Sequence, residues 1–182
     1  MGWLMGFGSM RSRRLLAAGA IVAVLATAGC SRANPSVVAY VGDGGRVTQT
    51  DLDAAVSGIS QTLQPGQSVA QSAVINAMIH GEIAAQVAAA NNITVTDADR
   101  DKVLASSNLA PLLNVPAAKQ IAYDVADTQI VPTKVGADAY LAAVKKTPVE
   151  LNPRFGQLDE TQKMIIDASS GSLSTPAPAA GG

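Results

Sequence analysis

The 182-residue chain has one cysteine, Cys30, and one histidine, His80. A lone cysteine excludes an internal disulfide framework and every C-x-x-C metal or redox motif, and a lone histidine excludes H-E-x-x-H and its variants. No G-x-S-x-G nucleophile elbow and no G-x-G-x-x-G phosphate loop occurs. Aromatic residues amount to 3% of the chain, and Trp3 lies at the extreme N-terminus, so Tyr40, Tyr123, Tyr140 and Phe155 are left to serve the body of the protein. That is too few to build stacking platforms for single-stranded nucleic acid or sugar. Positive charge is also scarce. Taking Arg11, Arg13 and Arg14 of the N-terminal segment from the 13 Lys and Arg leaves 10 against 14 Asp and Glu, a balance of about −4. A nucleic-acid binder carries the opposite sign.

Metal chemistry would have to rest on carboxylates. Asp97, Asp99 and Asp101 imitate the first ligands of a calcium loop, but Lys102 stands where that loop needs glycine and Asn108 where it needs glutamate. Neither a metal site nor any other cofactor is expected, and the three acids read as partners for a helix N-terminus.

Aliphatic residues are plentiful: 48% of the chain is hydrophobic, enough for one core without a staple. The fold class is mainly α, about five helices around a long central one. The central stretch, 68–95, offers about 24 residues of good helix formers, roughly 36 Å of rod. Ile75, Ile79, Ile83 and Val87 recur every four positions, and Ala70, Ala73, Ala77, Ala84 and Ala88 gather on another side. Bulky and small faces on one cylinder imply neighbours on both.

The N-terminal 29 residues have the build of a secretory signal, with Met10 as a second candidate start. A basic segment, Arg11-Ser12-Arg13-Arg14, precedes an apolar run of about 14 residues that is too short for a permanent span. Thr27-Ala28-Gly29-Cys30 resembles the bacterial lipobox, which implies cleavage before Cys30 and lipidation of its sulfur. Thr27 replaces the usual leucine of that motif. Acyl chains contribute about 0.8 kcal/mol per buried methylene, so several of them hold a protein on a bilayer. The expected location is the extracytoplasmic face of the cell membrane, with residues 30–35 as lipidated cysteine and tether. Ser12-Arg13-Arg14 also hints at twin-arginine export, but Leu15-Leu16-Ala17 continues it weakly, and general secretion fits better.

The domain is expected over 36–167. Val37 to Val41 is β-prone, Gly42 to Gly45 supplies a hairpin turn, and the strand returns through Arg46-Val47. Thr48 with Asp51 caps a first helix whose apolar face is Leu52, Ala55, Val56 and Ile59. Pro65-Gly66 marks the loop before the central helix. Thr96 and Asp99 repeat the capping pattern for a third helix, and residues 109–113 form an apolar turn. Pro116 opens a fourth helix with Ile121, Val125 and Ile130 inward. Val131-Pro132 is expected to break it, and a fifth helix follows over about 134–146 with Tyr140, Leu141 and Val144. Residues 148–156, with two prolines, read as an edge strand and turn, so a small two- or three-stranded sheet should join the N-terminal hairpin to a C-terminal strand. Residues 168–182, rich in Ser, Pro, Ala and Gly, read as a disordered tail.

The opening Val41-Gly42 through Arg46-Val47-Thr48 to Asp51-Leu52, and the run Ala88 to Asp99 with Asn91-Asn92-Ile93-Thr94-Val95-Thr96-Asp97-Ala98-Asp99, resemble the SurA-type chaperone domain shared with PrsA-like foldases and the related trigger-factor region. The segment 149–156 resembles the returning strand of actinobacterial lipoprotein members. The resemblance covers roughly 36–158. Isomerase members of this family add a parvulin domain of about 90 residues, which has no counterpart in this sequence, so the resemblance implies polypeptide binding without prolyl isomerisation. It implies an apolar groove between helices for unfolded or translocating polypeptides, with Met78, Leu109, Leu112, Leu113 and Tyr123 as candidate lining residues. The alternative is a structural or adaptor lipoprotein that docks one folded partner or a cell-envelope component. His80, between Asn76 and Gln86 on the more polar sector of its helix, reads as solvated or hydrogen-bonded rather than catalytic, and an enzyme ranks third.

Overall fold

The computed structural model describes residues 34–166. The leader, Cys30 with most of its tether, and the C-terminal tail lie outside the described residues. The domain is mainly α, with five helices, a three-stranded antiparallel sheet and a separate two-stranded one.

Strand β1 (Val37–Val41) is the centre of the larger sheet, flanked by β2 (Gly45–Thr48) and β3 (Val149–Leu151). Tyr40 lies opposite Arg46 on one side and Glu150 on the other. The two-proline segment therefore forms the expected edge strand, and its Pro148 carbonyl accepts from the Gly42 amide at 2.8 Å.

Helix α1 (Gln49–Ser60) begins at Thr48, whose hydroxyl accepts from the Asp51 amide, and it buries Leu52 and Ala55. Helix α2 (Gln71–Ala90) is the central rod. Ile75, Ile79, Ile83 and Val87 are all buried, Ile79 and Ile83 completely. Two expectations are corrected here. The helix starts at Gln71 rather than near residue 68, because Val69 packs against the core from an extended segment and Ser68 does not cap. The alanine face is real only in its second half: Ala84 and Ala88 are buried, whereas Ala70 and Ala73 are exposed. Although α2 is long and apolar enough to span a bilayer by length and composition, half of its apolar window is buried in the domain, which marks a core helix.

Helix α3 (Asp97–Leu104) carries a full capping box between Thr96 and Asp99, and a 3-10 turn, Ala110–Asn114, leads to helix α4 (Pro116–Val135). Pro132 does not break α4, contrary to the sequence expectation. Its neighbours Ile130 and Val131 are buried and hold the last turn on the core, and the helix continues to Gly136, whose φ of 93° ends it. The fifth helix, α5 (Ala137–Lys146), consequently starts after residue 134; it buries Tyr140 and Val144 and leaves Leu141 55% exposed.

Strands β4 (Gln157–Asp159) and β5 (Met164–Ile166) form a hairpin that the sequence reading did not anticipate. Its strands are three residues each, too short for a period-2 pattern to stand out. The hairpin docks on α2 through Asn76, whose Oδ1 accepts from the Ile165 amide at 2.7 Å.

Candidate functional site

A cleft of about 440 Å³ opens where β2, α1, α2, α3 and α4 converge. Val47, Ala55, Met78 and Ile121 form apolar wall, and Ala54, Ala85 and Ala117 are short enough to leave space between the helices. Arg46 and Asp51 stand at the β2 and α1 side, Glu82 rises from α2, and Asp124 and Asp127 project from α4.

Gly81 sets the geometry of this wall. A Cβ at that position would collide with the Cβ of Asp124, so the absent side chain lets α4 lie directly against α2 at that point. Asp124 is thereby held at the seam between helices. Its Oδ1 accepts from Gln120 Nε2 at 2.8 Å, and among the described residues no cation forms an ion pair with it. Burial raises its pKa to about 6; Gln120 opposes this, whereas the charges of Asp127 and Glu82 push it further up.

Asp127, one turn later, is in the opposite situation. Its carboxylate is buried and receives two bonds from Arg100, Nε at 2.7 Å and Nη2 at 2.9 Å, while Arg100 Nη1 reaches Asp97 at 3.1 Å. This fork ties α3 to α4 and keeps the guanidinium firmly protonated. Arg100, Pro116 and Gln120 also line a second, more open depression of about 400 Å³ with Asp97, Lys119 and Tyr123. There the Lys119 ammonium lies 5.0 Å and the Arg100 guanidinium 5.2 Å from the centre of the Tyr123 ring. The two depressions share a wall and differ in sign, carboxylates predominating in the first and cations in the second.

The chain matches no family model, no curated protein and no solved structure.

The five apolar residues put forward from the sequence do not come together as a single groove. Met78 lines the cleft. Leu112 and Tyr123 are buried in the core, and Leu109 and Leu113 are half-buried against it. Tyr123 also donates its hydroxyl to Asp101 at 2.9 Å and presents its ring to the second depression. Cys30 lies outside the described residues. His80 is half-buried, with the backbone of Gln162 as a hydrogen-bond partner, the second of the two alternatives expected for it. Burial lowers its pKa, the backbone of Gln162 partly offsets this, and Nε2 has no hydrogen-bond partner among the described residues. No group of His, Cys, Asp and Glu suited to a metal is found among the described residues.

Sequence reasoning missed Glu82, Arg100, Asp124 and Asp127. One signal was available for Asp127: with Tyr123 and Ile130 it follows the i, i+4, i+7 spacing of a buried face, where an acid needs a partner. The cleft position of Asp124 depends on the approach of α2 and α4 and has no local sequence signature.

Proposed function

We propose that the protein is a non-catalytic polypeptide-binding domain, held by a lipid on Cys30 at the outer face of the cell membrane, that takes segments of unfolded or translocating chains into the cleft between α1, α2 and α4. The cleft itself is the observation that carries the reading. Its volume of about 440 Å³ is of ligand-site size, its walls combine alanines and Met78 with carboxylates, and it continues past Arg100 into a second depression. Such a mixed, elongated surface suits an extended chain that offers side chains of several kinds. The leader and the lipobox-like Thr27-Ala28-Gly29-Cys30 support export and anchoring, and the likeness of the capping and helix-end motifs to SurA-type domains supports client binding.

The exposed surface narrows the mode of binding. Large hydrophobic residues exposed among the described residues are Leu141, Met164 and Ile166, too few for a broad apolar shield. Clients would be held by single segments in the cleft. Met164 and Ile166 both point outward from β5, and this favours the second reading, an adaptor that docks one folded partner on the hairpin.

Aggregation of a chemically unfolded client in the presence of the full chain in detergent tests the first reading against the second. Suppression that is lost when the cleft is filled by Ala85→Trp supports a polypeptide-binding cleft; Ala85 is exposed, so that change leaves the core intact. No suppression by the folded protein, or suppression unaffected by Ala85→Trp, counts against it.

A further inference from the structure

The charge of the cleft is unbalanced in a specific way. Of its two arginines, Arg100 is already engaged by Asp127 and Asp97. That leaves Asp51, Glu82 and Asp124 facing one remaining cation, Arg46, at the rim. Asp51 is itself partly occupied as the acceptor of the Thr48 hydroxyl at 2.6 Å. Glu82 accepts from Gln86 Nε2 at a long 3.2 Å, and Asp124 from one amide. Glu82 and Asp124 therefore stand on facing helices, α2 and α4, on either side of the seam that Gly81 permits, each with only a neutral side-chain donor.

Apolar side chains line the same cleft as this pair. Ala54, Ala85 and Ala117 come from three different helices, with Met78 beside them, and all four lack a hydrogen-bonding side chain. Methyl groups and a thioether in one cleft with two carboxylates are complementary to an aliphatic stem ending in a cation.

Resting on the polypeptide-binding reading above, we infer that the segment the cleft takes presents a lysine or arginine, whose methylene stem lies along Ala54, Ala85 and Met78 and whose cationic head is held between Glu82 and Asp124. The occupant is thereby a basic polypeptide segment rather than a purely apolar one. Charge complementarity carries this: a cation at that point relieves the repulsion that Glu82 and Asp127 exert on Asp124. Linkage follows from the same contact. Binding the cation stabilises ionised Asp124, so binding should strengthen as pH rises through about 6.

The test is fluorescence anisotropy with the full chain in non-ionic detergent. The probes are labelled short peptides of Leu, Ala and Ser that differ at one central position: lysine, arginine or norleucine. A charge-assisted contact contributes enough to make the Lys and Arg peptides bind about tenfold more tightly than the norleucine peptide at about pH 7.5. Asp124→Asn and Glu82→Gln, each shown folded by circular dichroism and melting, should reduce that preference to about threefold or less, and so should lowering the pH of the wild type to about 5. If all three peptides bind the wild type within about twofold of one another, the basic-segment inference is overturned and the polypeptide reading stands. If none of them binds, the polypeptide reading itself falls. A lysine preference that survives in both variants overturns the placement at Glu82 and Asp124.

Discussion

Replacing Asp124 by asparagine removes a charge while keeping the shape, and the structure makes its effect on stability depend on pH. Asp124 is disfavoured as an anion, its pKa raised from an ordinary 3.8 to about 6, first by burial and then by Asp127 and Glu82, against the help of Gln120 and Arg100. A folded-state pKa above the unfolded one means that the native protein holds the proton more tightly. The group therefore destabilises the fold progressively as pH rises from about 4 to about 6, and its full cost applies above that range. A shift of about two units corresponds to roughly 3 kcal/mol at pH 7.5 and under about 1 kcal/mol at pH 4. The Asp124→Asn protein should be more stable than wild type by about 1–3 kcal/mol at neutral pH, partial exposure reducing the figure, and this advantage should nearly vanish at about pH 4. Urea unfolding of both proteins at the two pH values, followed by far-UV circular dichroism, measures the difference. Acids that do not face the cleft contribute equally to both proteins and cancel from the difference. An advantage of the same size at both pH values, or a loss at neutral pH, would refute the argument that Asp124 is a strained anion in the cleft.

Arg100→Ala leaves the buried Asp127 carboxylate without its fork and should cost about 2–4 kcal/mol, read as a lower urea midpoint. Gly81→Ala gains about 1 kcal/mol of helix propensity, but its methyl collides with Asp124 and forces α2 from α4; a net loss of about 1–2 kcal/mol in thermal unfolding is expected. Ile79→Asp places an unpaired charge at a fully buried position of the central helix and should abolish the cooperative transition at neutral pH.

Most of the scaffold was legible from local rules, and the departures have physical causes. Thr48 and Thr96 cap the helices that follow them as their spacing implies, and the four-residue period of Ile75, Ile79, Ile83 and Val87 marks the buried side of α2. Capping and periodicity are written in consecutive residues. Pro132 shows where such reading stops: an internal proline weakens a helix, but burial of Ile130 and Val131 decides whether the helix continues, and that burial is tertiary. The β4–β5 hairpin was invisible for a related reason, since its attachment to Asn76 joins residues far apart in sequence. The site was less legible than the fold. Met78, named only as a candidate that the family resemblance implies, lines the cleft. Glu82, Asp124 and Arg100 are charged residues on helices, and most such residues are simply solvated. The approach of Asp124 to α2 depends on a glycine at position 81, whose role emerges only when two helices are placed side by side, and Arg100 is drawn in by Asp127.

The most direct test of a polypeptide-binding cleft is site-specific photocrosslinking. A photoreactive side chain at position 85, on the cleft wall, and another at position 141, exposed on α5 away from it, would each be irradiated with an unfolded client, and the adducts mapped by mass spectrometry. Client adducts at position 85 with only background at position 141 are the expected result. Equal labelling at both positions, or labelling at position 141 alone, would contradict the assignment of the cleft as the client site.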